Sequence, residues 1–437
     1  MRKSVRILIG AGCCVLLAAS WIITVNSKST AEKQLILIGH ASTMINDGIY
    51  VSAVPLLEEA AGYEAAHTLA AENELKGAYL ALIDNRGYPR RYTTLLEKQM
   101  NRRDAAPSVF IEAANYYITN SKTQEALAVL RTGIEKTGDA DIITLYENSR
   151  YVYEVGRVTY ENVTATYGKT IQVQLDGKWG IANSDGSIMI PCEYDKVSTF
   201  NKDRTIVKKE GSIYAVDRDN NRVAVAHGEV SDFGHYADNR IPLLIEGRWQ
   251  RATGDFVLGA NTFEEIGMYS GGYAAAKVNG KWGVIDLSTK WLIPPEFDEV
   301  IRDELGRCYA QGAVFVRTGG LVYLIVDGDY AGDVYEDACP FSDEGFAAVK
   351  KNGKWGFIDS RGVEVIQFVF DEALSFGQHL AAVKHGEFWG YISKYGHIVI
   401  DAVFLEAKSF SDGSAPVLTE RGWQFITIME FKKGASL

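Results

Sequence analysis

The octapeptide NGKWGVID at residues 279–286 returns as NGKWGFID at 352–359, and DGKWGIAN stands at 176–183. Three of the chain's eight tryptophans are in these phrases. A catalytic phrase is needed once, whereas the core phrase of a repeated unit is needed in every copy. The repetition therefore requires an array of like units and excludes a fold built around one unique core. Aligned on the aromatic, the ladder runs Trp179, Tyr214, Trp249, Trp282, Tyr323, Trp355, Trp389, Trp423, at intervals of 35, 35, 33, 41, 32, 34 and 34 residues. Six of the eight tryptophans share this register.

Each part of the unit has a physical role, best seen over residues 340–374. Ala347 to Val349 are small and apolar and lead into Lys350 and Lys351, and read as a strand with one buried face. Asn352-Gly353 has the composition of a two-residue type I′ hairpin turn. Trp355 supplies a large apolar side chain, and Gly356 removes one so that a neighbouring backbone can approach. Asp359-Ser-Arg-Gly362 forms a second turn, echoed at Asn183–Gly186 and Ser393–Gly396, and Val363 to Phe370 form a third strand. The glycine recurs as Gly180, Gly283, Gly356 and Gly390 and becomes Ala215, Gln250, Leu324 and Gln424 elsewhere.

This phrase, with Phe341-Ser342 ahead of it and a Phe370-Asp371 ending, resembles the WG-repeat family of bacterial proteins, whose signature begins with a Phe-Ser-x-Gly turn, over roughly residues 160–430. The resemblance implies a β-repeat array of about eight three-stranded meanders whose structural core is Trp179, Gly180, Trp249, Trp282, Gly283, Trp355, Gly356, Trp389, Gly390 and Trp423. One meander cannot bury its apolar face alone, so the tryptophan is expected to pin each copy while the next copy supplies the missing wall. Because propeller blades have four strands and about forty residues, the array is expected to be an open solenoid, with a closed propeller-like ring as the alternative.

Ahead of the array, residues 31–155 show a period near 3.6, interrupted at Asn46-Asp47-Gly48, Asn85-Arg86-Gly87, Asn120-Ser121 and Gly138-Asp139. Over 107–139, Ala114, Tyr117, Ala126, Leu130 and Gly133 stand where a tetratricopeptide repeat lets two helices approach closely, and the stretch resembles that family. Weaker units follow at 73–106 and 39–72, with 140–155 as a closing helix. The fold class is thus multidomain, α plus all-β. The domains expected are an anchor at 1–26, a tetratricopeptide-like helical domain at 27–155, the β domain at 156–430 and a tail at 431–437.

Residues 7–25 are uncharged and follow Arg2, Lys3 and Arg6, long enough to cross a bilayer with the N-terminus inside. A single-pass cell-membrane protein with its C-terminal domains outside the cytoplasm is expected, or a secreted one after cleavage near Ala18-Ala19-Ser20. The net charge of −11 disfavours nucleic acid as a partner.

Chemistry is sparse. Histidines stand at 40, 67, 227, 235, 379, 385 and 397, without HExxH or an HxH pair. Only His379, His385 and His397 lie in well-formed repeats and invite a common site. Asp217-Arg-Asp-Asn-Asn221 starts like a calcium loop but has Arg222 where glycine is required and Gly228 where glutamate is required. Asp195, Asp298 and Asp371 recur at one repeat position, as turn caps do. Cys192, Cys308 and Cys339 have no CxxC spacing and read as buried hydrophobes. No cofactor or metal is expected. The expected function is a membrane-anchored scaffold or binding module at the bacterial cell envelope, engaging a protein or peptide. The alternative is an envelope enzyme or a module holding cell-wall glycan on the repeat surface.

Overall fold

The computed structural model describes residues 30–226 and 229–431, and the chain divides into two compact units, Met1–Tyr146 and Glu147–Leu437. Seven helices are present among the described residues, six within the first unit and the seventh running past its end: α1 (30–46), α2 (Tyr50–Gly62), α3 (Thr68–Ala81), α4 (Tyr88–Met100), α5 (Pro107–Thr119), α6 (Thr123–Thr137) and α7 (Ala140–Ser149). The breaks read from the sequence are real turns. Gly48 and Gly138 have positive φ after α1 and α6, and Gly87 with φ 97° precedes α4. Small residues make the close packing: Ala41, Ala53, Ala60, Ala71, Ala113, Ala114 and Ala126 are fully buried. A Cβ at Gly133 would lie 2.9 Å from the Phe110 ring, which explains a glycine inside α6.

The expected transmembrane helix and single-pass membrane location find no support and are withdrawn. Among the described residues no helix is long and apolar enough to cross a membrane. Helices α2–α7 have 10 to 15 residues each, and α1 carries Glu32, Lys33 and a fully buried Gln34. The segment 7–25 lies outside the described residues.

The second unit corrects the open solenoid. It is a closed eight-bladed β-propeller of eight four-stranded antiparallel sheets. Blade 1 is Asn162–Val163, Thr170–Leu175, Lys178–Asn183 and Ile188–Tyr194. Blades 2 to 7 repeat this order from Lys196 to Phe404. Blade 8 takes its inner three strands from the C-terminal end, Glu406–Ala407, Ser414–Thr419 and Gly422–Ile428. Its outer strand, Tyr153–Val155, comes from the start of the unit and pairs Tyr153 with Ile428 and Val155 with Ile426. That strand lies in the stretch read as the end of a closing helix. It makes the ring continuous, because Trp423 and Phe425 of blade 8 then pack on Tyr160, Ile171, Val173 and Ala182 of blade 1.

The three-stranded meander is corrected for a related reason. Each blade begins with an inner strand that is commonly two residues long, such as Lys196–Val197 or Glu372–Ala373. Strands of two, six, six and seven residues joined by tight turns fit four strands into about 35 residues. A two-residue strand has no periodicity to be read.

Candidate functional site

The repeat tryptophans form the walls between blades. Trp282, Trp355, Trp389 and Trp423 are buried, and Trp179 and Trp249 half-buried. Each packs on the following blade: Trp355 of blade 6 meets Ala373, Phe376, Ala381 and Val383 of blade 7, and Trp282 of blade 4 meets Val300, Val314 and Val316 of blade 5. The four buried indoles leave no open face for stacking a sugar.

Two rungs of the aromatic ladder shift by one residue. The hairpin turns Glu210-Gly211 and Gly319-Gly320 place Ile213 and Val322 at the tryptophan position, paired with Lys208 and Arg317 as Trp179 pairs with Gln174. Tyr214 and Tyr323 stand at the glycine position and face the preceding blade.

The glycine is explained by the outer strand. Beside Gly180, Gly283, Gly356 and Gly390 the outer strand bulges, and an added Cβ would lie 2.5, 2.4, 2.8 and 2.5 Å from the carbonyl oxygens of Ile190, Ile293, Ile366 and Ile400. In blade 8, where a regular three-residue strand replaces the bulge, Gln424 is accommodated and its Nε2 donates to Gly156 O at 2.9 Å.

The recurrent acids clamp successive blades together. Asp195, Asp298 and Asp371 each accept from a lysine of their own blade (Lys178, Lys281, Lys354) at 2.6, 2.7 and 2.5 Å. Their second oxygens accept from the first turn residue of the next blade's hairpin, the N–H of Glu210, Gly319 and Gly386, at 2.9, 2.9 and 2.8 Å. Glu161, Glu264 and Glu336 occupy the same position and, one methylene longer, reach the second turn residue, Gly177, Gly280 and Gly353. The lysine hydrogen bond, then the backbone one, hold the three aspartates below the usual carboxylate range.

Around the axis, the long interval between Trp282 and Tyr323 appears as a turn inserted at Asp303–Arg307, between the first two strands of blade 5, Glu299–Val300 and Ala313–Thr318. Asp303 accepts from the N–H of Leu305 and Arg307 at 3.0 and 2.9 Å and from Arg307 Nε at 2.5 Å. Leu305 packs with Ala237 and Met268 of blades 3 and 4, and Ala165 and Tyr167 of blade 1 border the same cluster. Glu304 accepts from Lys408 of blade 8 at 2.7 Å, and burial pushes its carboxyl upward against that pairing. His235 Nδ1 lies 3.1 Å from Gln172 Nε2. Burial and then Lys196 pull the imidazole down to about 4, so it is neutral at pH 7. This axial cluster was missed from the sequence, although the 41-residue interval was its signal.

The remaining candidates are structural. His379 Nδ1 meets Glu344 Oε2 at 2.8 Å, while His385 and His397 flank opposite ends of the strand Phe388–Ser393, so the three do not converge. Asp217 accepts from the N–H of Asp219 and Asn221 at 3.0 and 2.8 Å, the same turn that Asp286 and Asp359 make in blades 4 and 6. Cys308 is buried, and burial pushes the thiols of Cys308 and Cys339 up to about 12, far from a reactive thiolate. No group of metal-binding residues occurs among the described residues.

Two surfaces can meet a partner. In the helical unit, a cleft of about 420 Å³ between α3 and α4 has Leu75, Tyr79 and Leu95 on its walls and Arg90, Arg91 and Lys98 at its edge. On the propeller perimeter, the outer strands expose Leu292, Tyr330, Val365, Val369, Ile398 and Val403, between 42% and 64% accessible. Val369 and Val403, at 51% and 56%, hold equivalent positions in blades 6 and 7, each directly before the phenylalanine paired with the repeat tryptophan.

No curated protein matches the chain. Among solved structures, Kluyveromyces lactis Hsv2p is 9% identical with a TM-score of 0.37, covering 61% of this chain and 96% of its own. A eukaryotic initiation factor is 12% identical with a TM-score of 0.40, covering 62% and 83%. The Neurospora crassa Pan2 WD40 domain is 10% identical with a TM-score of 0.31, covering 53% and 88%. Likenesses this distant carry no argument. The WG containing repeat family matches residues 179–212, 252–282, 282–320, 334–355, 355–387 and 389–423, so that the C-terminal region of the chain, from Trp179 to Trp423, is similar to WG containing repeats.

Proposed function

We propose that the chain is an interaction scaffold without a reaction of its own, and that the perimeter of blades 6 and 7 docks a protein partner. The observation that carries this reading is the pair Val369 and Val403, large apolar side chains more than half exposed on adjacent outer strands. Outer strands have one unpaired backbone edge, and an edge bearing exposed valines is a template for another chain unless a partner covers it. The helical unit, read as a short tetratricopeptide-like array because of its alanine-lined helix contacts and the Gly133–Phe110 approach, contributes a secondary surface in the α3–α4 cleft.

The test places a photo-crosslinking residue at 369 or 403 in the full chain, within cells of the source organism, with a third site at exposed Glu420. The expected result is one discrete adduct, common to 369 and 403, absent at 420 and lost when the neighbouring valine is changed to glutamate. Adducts indistinguishable from those at 420, or insensitive to Val369→Glu and Val403→Glu, would overturn the reading.

A further inference from the structure

The wall between blades 3 and 4 differs from the other seven. Two residues after the tryptophan position, the side chain facing the next blade is Ile181, Ala215, Val284, Leu324, Phe357, Tyr391 or Phe425 in seven blades, each at most 2% exposed. In blade 3 it is Arg251. The register of the two central strands pairs Arg240 with Thr253 and Pro242 with Arg251, so both arginines share the face that carries Trp249 and packs on blade 4. Across that wall stands Tyr269 of blade 4, fully buried.

Equivalent positions meet in other walls. Phe346 and Phe357 of blade 6 approach Phe376 of blade 7 with ring centroids 5.4 and 4.9 Å apart, and Tyr273 of blade 4 lies 4.4 Å from Tyr309 of blade 5. At the blade 3–4 wall this aromatic cluster is replaced by Arg240, Arg251 and Tyr269.

The replacement leaves three donors unfilled. Arg240 Nε, Arg251 Nε and the Tyr269 hydroxyl are buried and have no hydrogen-bond partner. Arg240 Nη1 donates to its neighbour's carbonyl, Asn239 O, at 2.9 Å, and neither arginine makes an ion pair among the described residues. By contrast Arg204, at the Arg240 position of blade 2, is paired with Asp203 and Asp255. Asp286, the carboxylate whose field reaches Tyr269, is engaged by the Ser288 N–H and hydroxyl and by the Lys290 N–H. The outer strand makes room: a Cβ at Gly259 would lie 3.0 Å from Arg251 Nη2. Guanidinium groups drawn into a protein wall with no carboxylate partner are costly unless an anion joins them, and two forks and a phenol at one wall present donors in several directions.

We propose that Arg240, Arg251 and Tyr269 form a binding site for a tetrahedral oxyanion, phosphate or sulfate. Arg240 and Arg251, both half-buried with their Nε atoms buried, supply the charge, and the fully buried Tyr269 contributes its hydroxyl as a further donor. The site lies in the propeller wall, away from the perimeter valines and independent of the partner reading.

The test is thermal unfolding of the full chain titrated with sodium phosphate, sodium sulfate or sodium acetate, each against sodium chloride of matched ionic strength. The expected result is a saturable rise in Tm with phosphate or sulfate and none with acetate. Arg251→Ile, the residue of blade 1 at this position, abolishes the rise and elevates Tm without anion. Tyr269→Phe, which restores the residue of blade 7, keeps the fold and weakens apparent phosphate affinity at least threefold. If Arg251→Ile does not fold, Tyr269→Phe decides alone. A phosphate response no larger than that of chloride, an equal response to acetate, or a response unchanged in the folded variants would overturn the proposal.

Discussion

Trp423→Ala separates a ring from an open array. Trp423 belongs to the last repeat, and in a solenoid it would face solvent because no later copy covers it. In the propeller it is 6% exposed, packed on Tyr160, Val163 and Ile171 of blade 1. A tryptophan side chain that buries about 200 Å² contributes about 5 kcal/mol at about 25 cal/mol per Å², in line with the ~3–5 kcal/mol seen when buried aromatics are cut to alanine. Trp355, 9% exposed in an internal wall, sets the comparison. Both variants are expected to lose about 3–5 kcal/mol, read as equal shifts of the urea midpoint by far-UV circular dichroism, which avoids the changed fluorescence. A loss below about 1 kcal/mol for Trp423→Ala beside a full loss for Trp355→Ala would show that the seam is open and the pairing of Tyr153–Val155 with Gly422–Ile428 is not formed.

Gly283→Ala forces a Cβ to within 2.4 Å of Ile293 O and is expected to cost about 2–4 kcal/mol, whereas Gln424→Ala, at the same position of blade 8, should cost less than half as much; chemical denaturation of both variants measures the difference. Asp195, Asp298 and Asp371 have folded-state pKa values below their unfolded ones, so their stabilisation is present above about pH 4 and lost as pH falls through the depressed values; the triple Asp→Asn variant should flatten the acid limb of the stability profile while leaving its shape above pH 6 unchanged. Cys308 and Cys339, with thiols raised to about 12, should resist alkylation at pH 8 in the native protein and react fully in urea, as mapped by peptide mass spectrometry.

Local chemistry was legible in the sequence and long-range pairing was not. Asn352-Gly353 adopts φ values of 53° and 75° as a type I′ turn requires, and the backbone approach anticipated at Gly356 is present at 2.8 Å. The ring closes through a pairing of Tyr153 with Ile428, and no periodicity within either segment records a partner so distant. The one-residue shifts at Tyr214 and Tyr323 arose because aromatics were used as anchors. The glycine-containing hairpins determine which residue faces which blade, and a register changed by one residue exchanges the two faces of a strand. Among the site residues, Arg251 was legible in principle: it is the only charged residue at a position that is apolar in all seven other units, but that comparison requires the hairpin register.

Closure also bears on where this architecture can hold a ligand. In an open array each wall is a place where the array can part, so a polar wall weakens everything beyond it. In the ring each blade is held on both sides, and the blade 3–4 wall cannot open without a second wall opening elsewhere. The clamp of acid and hairpin adds to this: Glu264, directly after the last strand of blade 3, accepts from the Gly280 N–H in the hairpin of blade 4, and Asp238 of blade 3 accepts from the Gly272 N–H of blade 4 at 2.9 Å, so the polar wall is bridged close to Arg240. A wall kept shut by its neighbours can keep two arginines at a fixed separation whether or not an anion is bound. Preorganisation of that kind favours binding because the cost of gathering the cations is met during folding and does not recur at association.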